Sequence, residues 1–585
     1  MKSLTGLDAT FLYLETAEMP MHVGSLNLCE LPAGFRGSFH KAVKAHIGKR
    51  MHLAPVFNRK LVSMPLELGH PLWVEADAVD IDFHIRRADA QATGAARTLP
   101  PTPPMTLAEV HKRCAKLHSQ VMDRNFPLWE FHVFDRIQLP ASQGGKVVAG
   151  FFSKIHHAAL DGKGGVMLAN AMLDVGPIPR EVAPPDPTRR RRREADLQLG
   201  KMIGSVFSSS LGQLVKAARS LPAAATAVGH ALTRSGGSVS TNGKPRMPMK
   251  LAPQTPFNAG ITAGRVFVTA SVPLADTKAM GKAVGGTFND MVLWICATAL
   301  RHYLTQHHAL PRKSLVAAMP VSLREADASD ATQLGNQVSM TLVELGTHLA
   351  HPLKRMNAIM ASTGRVKTSM QSLKGLLPTD YPSLLAPWLV GGAAKLALNA
   401  YGKSGIASRL PMVANLVISN VPGPSVPLYL AGARVLTFHP LSIIVHGLAL
   451  NITIQTYAGE VDFGIVADKK ALPHANDLAK AIEAAFEEAK RLLLPAVAAG
   501  PTATPVKTRA GAVPRATKTR QKATKLEATP SRKHAARRDT VGSRQAHVTP
   551  DDAINDATHG KPVAPAPRTQ KKSTVRRSTA ARSTA

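Results

Sequence analysis

The chain has 585 residues, with 72 Lys or Arg against 39 Asp or Glu, a formal charge of +33. This length admits more than one hydrophobic core, and the charge excludes an acidic solvating protein and points to an anionic partner or surface. The excess is uneven: residues 501–585 carry +14 and the rest carries +19.

Three cysteines, Cys29, Cys114 and Cys296, lie far apart without CxxC spacing. That argues against a zinc site or a disulfide framework and makes a reducing compartment the default. The opening residues hold Asp8 and Glu15 and no apolar run, so no secretory signal is expected. The longest apolar stretch, 384–398, contains Lys395 and falls short of the ~18 residues a spanning helix needs. No bilayer crossing is expected.

Residues 1–177 read as a mixed α/β domain. Thr106-Leu107-Ala108-Glu109 is a capping box that opens a helix running to about Met122. Trp129–Phe134 and Val147–Ile155 read as strands, the second nearly all apolar and therefore internal. A helix is expected from Gly165 to Leu173. Residues 178–260 read as a linker carrying one or two helices: a proline-rich start, then the run Arg189–Arg193, then an Ala/Ser/Leu-rich stretch.

Residues 261–495 form a second α/β region. Arg265–Ala270 reads as a strand, and Asn289 to His307 as a helix capped by Thr287 or Asn289. Leu448, Leu450, Ile452 and Ile454 alternate, as do Val461, Phe463 and Ile465 beyond Ala458-Gly459, which predicts a hairpin. Asp477–Leu494 reads as an amphipathic helix with Leu478, Ile482, Phe486 and Ala489 on one face. Residues 496–585 are rich in Ala, Thr, Pro, Lys and Arg, with too few large apolar side chains to offset chain entropy, and read as a disordered tail.

One stretch carries chemistry. Lys154-Ile155-His156-His157-Ala158-Ala159-Leu160-Asp161-Gly162 follows the internal strand and precedes a helix. A neutral imidazole there can take a proton from a hydroxyl, the aspartate can orient the ring or hold the loop, and Gly162 permits a sharp turn. On these residues alone, two histidines at a strand end followed by an Asp-Gly turn remain the alternative account, and the rest of the chain decides.

The pattern HHxxxDG resembles the motif of acyl-CoA-dependent acyltransferases with the chloramphenicol acetyltransferase-like fold. More specifically, the chain resembles the bacterial wax ester synthase/diacylglycerol acyltransferase family. Further elements occur in the family's order: Leu7-Asp8-Ala9-Thr10-Phe11, Met21-His22-Val23-Gly24, residues 79–86, Pro127-Leu128-Trp129-Glu130, Phe288-Asn289-Asp290, residues 319–324 with 334–336, and Asn420-Val421-Pro422-Gly423-Pro424. The resemblance covers residues 3–495 and stops at the tail.

The resemblance implies two such domains around a shared active-site tunnel. It implies transfer of a fatty acyl group from acyl-CoA, a substrate, to diacylglycerol or a long-chain alcohol, with no cofactor and no metal. His157 would be the general base and His156 would position the loop. Asp161 would be structural, with Arg324 as its candidate partner. Asn289 and Asp290 would fix a helix beside the tunnel. Pro127, Leu128 and Trp129 could line the acyl channel, although Trp129 also reads as a core aromatic. Asn420, Pro422 and Gly423 form a rigid turn that could border the coenzyme A entrance or equally form a domain crossover. No GxSxG elbow is present, so no covalent acyl-enzyme is expected.

A water-insoluble acceptor places the enzyme at a lipid surface. The expected location is cytoplasmic, peripheral to the inner membrane face or a lipid inclusion, with Arg189–Arg193 and the amphipathic stretches as docking elements. The tail has no aromatics and could bind nucleic acid or anionic lipid through charge alone. Two other readings compete: a peptide-synthetase condensation domain, which shares HHxxxDG, and a catalytically weak lipid-inclusion protein whose basic tail is the working part.

Overall fold

The computed structural model describes residues 2–63, 70–89, 103–160, 162–185, 251–322, 338–373 and 412–494. All lie in the first of two units, Met1–Pro501, the second being Thr502–Ala585. Asp161, Arg324, the Arg189–Arg193 run, the amphipathic stretches of the linker and of residues 383–402, and the tail lie outside the described residues.

In chain order the first half contains β1 (Lys2–Ser3), α1 (Gly6–Leu14), β2 (His22–Glu30), α2 (Phe39–Gly48), β3 (Arg59–Val62), β4 (Leu72–Glu75), α3 (Ile81–His84), β5 (Ile85–Arg87), β6 (Met105–Thr106), α4 (Leu107–His118), β7 (Trp129–Gln138), β8 (Val147–His156), α5 (Gly162–Met172) and β9 (Leu173–Asp174). The second contains β10 (Arg265–Pro273), α6 (Leu274–Ala283), α7 (Phe288–Gln306), β11 (Val316–Ser322), β12 (Val338–Glu344), α8 (Pro352–Leu373), β13 (Leu416–Val421), β14 (Tyr429–Leu430), β15 (Ala433–Val435), β16 (His439–Leu441), β17 (Leu450–Tyr457), β18 (Glu460–Asp468) and α9 (Ala475–Leu493).

A nine-stranded sheet runs β5-β7-β8-β2-β15-β14-β9, with β6 on β7 and β16 on β2. A six-stranded sheet runs β10-β18-β17-β13-β11-β12, and a small third sheet runs β1-β4-β3. Sheet membership does not follow the expected division at residues 178–260. Strands β14, β15 and β16, from the second half, belong to the first sheet. They are two or three residues long, too short to give an alternation signal.

Strand β8 is internal, as its apolar run predicts, lying between β7 and β2. On one face of this sheet, Trp129, Phe131, Phe151 and Ile155 pack beneath α2 and α5. On the other, Leu26, Phe152 and Val148 share a core with Val110 and Cys114 of α4 and with Phe267 and Val466 of the second sheet. That shared core fixes the two sheets together.

Helix α4 carries the full capping box at Thr106 and Glu109. Helix α7 starts at Phe288 with Thr287, not Asn289, as its cap. It is buried on every side from Asp290 to Leu300, which is why no amphipathic stripe marks it. Helix α5 begins at Gly162, three residues earlier than expected. The hairpin starts at Leu450, whereas Leu448 forms a separate bridge with Val445. Its turn places Ala458 at φ 46° and Gly459 at φ 96°, the left-handed pair that matches strand twist. Among the described residues no single helix is long and apolar enough to cross a membrane.

Helix α9 buries Leu478, Ile482, Phe486 and Ala489, its predicted face, in the core of the second sheet. Phe486 is 3% exposed. Phe486→Ala is expected to cost about 3–5 kcal/mol through the cavity it leaves, read as a lower denaturation midpoint.

Candidate active site

Strand β8 alternates its side chains, so Phe152, Lys154 and His156 share one face. All three are buried, and His156 is the last residue of the strand. Two backbone bonds fix where it ends. His156 N–H donates to the Leu128 carbonyl at 3.0 Å, and His157 N–H donates to the Met21 carbonyl at 2.8 Å. The chain then enters a single 3₁₀ turn, His157–Ala159, whose buried Ala158 packs on Leu128 and on Ala9 and Leu12 of α1. Close approach of β2 is needed here: a Cβ on Gly24 would sit 1.9 Å from the Ser153 carbonyl oxygen. Only glycine fits that position.

His157 is half-buried. Its ring stacks on Phe11 of α1, centroids 4.0 Å apart and planes 14° apart. Its Nδ1 is buried and makes no hydrogen bond among the described residues. Burial pushes its pKa down to about 4; its own backbone pulls the other way, and neighbouring His156 adds to the lowering. The ring is therefore neutral at neutral pH and can accept a proton. A base held this way places the acid limb of kcat/KM below the ordinary 6.5 and toward about 4. A pH–rate profile of the free enzyme checks this, and a limb at 6.5 or above would contradict it.

His156 is wholly buried. Its Nδ1 accepts from the Ala158 N–H at 3.1 Å, so Nε2 carries the proton. That Nε2 lies 3.3 Å from Glu15 Oε1. Glu15 is also held by Arg124, at 2.8 Å. Burial opposes its ionisation, but His156 and Arg124 outweigh it and lower its pKa. His22 is the third member. Its Nε2 lies 3.9 Å from the same carboxylate and 3.0 Å from the Gln120 carbonyl. Burial, followed by Lys154, holds His22 well below its usual pKa.

The ligand atoms of Glu15, His22 and His156 all lie within 4.8 Å of one another, a spacing that would admit a cation. The hydrogen bonds do not fit one. His22 Nε2 faces a carbonyl and His156 Nε2 faces a carboxylate, so both nitrogens carry protons where a metal would need lone pairs. The trio is a buried support in which two imidazoles flank one carboxylate.

Three further side chains meet on this face. Lys154 Nζ lies 3.4 Å from Glu130 Oε2, and His132 Nε2 lies 3.3 Å from the same oxygen. Burial raises the Glu130 pKa, but His132 and Lys154 prevail and bring it down to about 2. A buried ion pair thus joins β7 to β8 one pleat behind the histidines.

The expected lining residues make core contacts in this structure. Pro127, Leu128 and Trp129 are all buried. Leu128 supplies the carbonyl that holds His156. Trp129 stacks on His84 at 4.2 Å and donates its indole N–H to the Phe57 carbonyl at 3.1 Å. The core reading of Trp129 is the one the geometry supports, and the motif serves to register the histidine strand.

In the second half the structure brings two motifs together. Asn420 Nδ2 donates to Asn289 Oδ1 at 2.6 Å. Asp290 closes a capping box with Thr287 and accepts from Thr363 of α8 at 2.7 Å. These bonds outweigh its burial and lower its pKa. Gly423 N–H donates to Thr456 Oγ1 at 3.1 Å, and a Cβ there would lie 2.1 Å from the Thr456 carbonyl oxygen. The turn is fastened to the β17–β18 hairpin, with Pro422 exposed beside it.

Two family models match the chain. The wax ester synthase/diacylglycerol acyltransferase catalytic domain covers residues 4–292, and the WS/DGAT C-terminal domain covers residues 334–490. A putative diacylglycerol O-acyltransferase of Mycobacterium tuberculosis is 34% identical over 495 residues, 83% of this chain and 99% of that protein. The O-acyltransferase WSD of Acinetobacter baylyi is 31% identical over 489 residues, 83% of this chain and 96% of that protein. Among solved structures, the wax ester synthase/diacylglycerol acyltransferase from Marinobacter aquaeolei VT8 aligns with a TM-score of 0.57 at 28% identity, covering 84% of this chain and all of that one.

Proposed function

The chain belongs to the wax ester synthase/diacylglycerol acyltransferase family, and from that premise we propose that it transfers a fatty acyl group from acyl-CoA to the hydroxyl of diacylglycerol or of a long-chain alcohol. The observation that carries the mechanism is His157: a neutral, half-buried imidazole pinned through its backbone to Met21 and through its ring to Phe11. It takes the proton of the acceptor hydroxyl as the oxygen attacks the thioester carbonyl carbon. The tetrahedral oxyanion collapses, the carbon–sulfur bond breaks, and the imidazolium returns the proton to the departing thiolate. The products are the ester and free coenzyme A. The enzyme supplies one base and holds it, and nothing becomes covalently attached to it.

The acceptors are insoluble in water, and the chain carries +33. Those two facts support a peripheral place on an anionic lipid surface, each basic residue near it adding about 1 kcal/mol. The experiment follows thiol release from acyl-CoA in parallel with hexadecanol and with dioleoylglycerol. Acceptor-dependent release supports O-acyl transfer and ranks the two acceptors. No release with either, from folded protein, would overturn it.

A further inference from the structure

We propose that Glu15 is a positioning residue of the acyl transfer, acting on His157 through two separate connections. The inference rests on the reading of His157 as the base. Glu15 closes α1 as its C-terminal cap and is almost completely buried, its side chain 2% exposed.

Its two oxygens have different tasks. Oε2 is anchored: Arg124 Nη2 donates to it at 2.8 Å and also to the Leu12 carbonyl at 2.7 Å, which locks the carboxylate to the last turn of α1. Oε1 faces the histidine pair. By the first connection it lies 3.3 Å from His156 Nε2. That contact selects the tautomer in which His156 Nδ1 has a free lone pair, and the lone pair accepts the Ala158 N–H inside the 3₁₀ turn that begins at His157. By the second, Oε1 accepts the Met21 N–H at 3.2 Å, and the Met21 carbonyl accepts the His157 N–H at 2.8 Å.

One carboxylate oxygen therefore fixes the turn from both sides, through a ring and through a backbone. The same helix supplies Phe11 to the His157 ring. Without the carboxylate, His156 is free to take the other tautomer. The Ala158 N–H would then face a protonated nitrogen, and the turn carrying His157 would shift.

The test compares Glu15→Ala, Glu15→Gln and Arg124→Met with wild type, measuring kcat, KM for acyl-CoA and thermal unfolding. Misplacing a catalytic group by about 1 Å costs on the order of 10²-fold in rate. Glu15→Ala is expected to lose about that much in kcat while KM for acyl-CoA stays unchanged. Glu15→Gln, which keeps an acceptor for His156 and Met21, is expected to recover part of the loss. Arg124 is 44% exposed, so Arg124→Met is expected to fold and decides the matter if Glu15→Ala does not. It is expected to lose about tenfold in kcat, a fraction of the full misplacement. Wild-type kcat in Arg124→Met and Glu15→Gln would overturn the proposal. So would losses that appear in KM and in unfolding temperature but not in kcat. Absence of acceptor-dependent thiol release from wild type would instead remove the acyltransfer reading itself.

Discussion

Acyl-CoA turnover is expected to fall by about 10²–10⁴ in His157→Ala, the usual worth of a positioned general base, with the protein still folded. The expectation of a folded variant comes from what the ring touches. It stacks on Phe11 and makes no hydrogen bond among the described residues, and the backbone bond to Met21 survives truncation. His156→Ala differs in kind: that ring is fully buried, and its loss takes a neighbour from the Glu15 carboxylate and strands the Ala158 N–H. Activity and stability should fall together there, and separately in His157→Ala. Thiol release measured beside thermal unfolding makes the comparison. Residual activity within about tenfold of wild type would place the base elsewhere.

Lys154→Met is expected to destabilise the protein by about 3–5 kcal/mol, the cost of leaving one member of a buried ion pair alone. Lys154 is 1% exposed at its side chain and Glu130 11%, so neither can turn to water. His132 stays beside the carboxylate, but burial holds its pKa down against Glu130. Replacing both, with Glu130→Leu beside Lys154→Met, should recover much of the loss because no charge is left stranded. A double-mutant cycle in denaturant measures the coupling. Strictly additive single losses would show that the pair does not act as one.

Much of the fold could be read from alternation and caps. The apolar run of β8, the Thr106 box and the face of α9 all carry their period in the sequence, and each is found in place. Helix α7 was visible only through its cap, because a helix buried on all sides has no stripe. Strands of two or three residues, such as β14, carry no period at all. At the site, the histidines were legible because their motif is contiguous. Glu15 was not: it lies 141 positions before His156, in a helix whose acidic residues pass as ordinary surface. A signal did exist in Lys154 and Glu130, since a charge inside an apolar strand demands a partner. Their alternation with His156 and His132 marks one polar face. The pairing of Asn289 with Asn420 joins positions 131 residues apart, which only the folded chain brings together.

The borrowing of β15 and β16 by the first sheet has a consequence for biogenesis. One edge of β2 pairs with β8, and among the described residues its other edge is paired with Ala433–Val435 and His439–Leu441. Asn27 bonds to the Thr437 carbonyl across 410 positions. While the ribosome works through those positions, a strand with Leu26, Leu28 and Cys29 presents an unpaired edge, the kind of template on which chains aggregate. The histidine-bearing half therefore has no finished form of its own during synthesis. Its closure is a late, long-range event, of the sort that makes folding slow and dependent on protection until the final quarter of the chain has emerged.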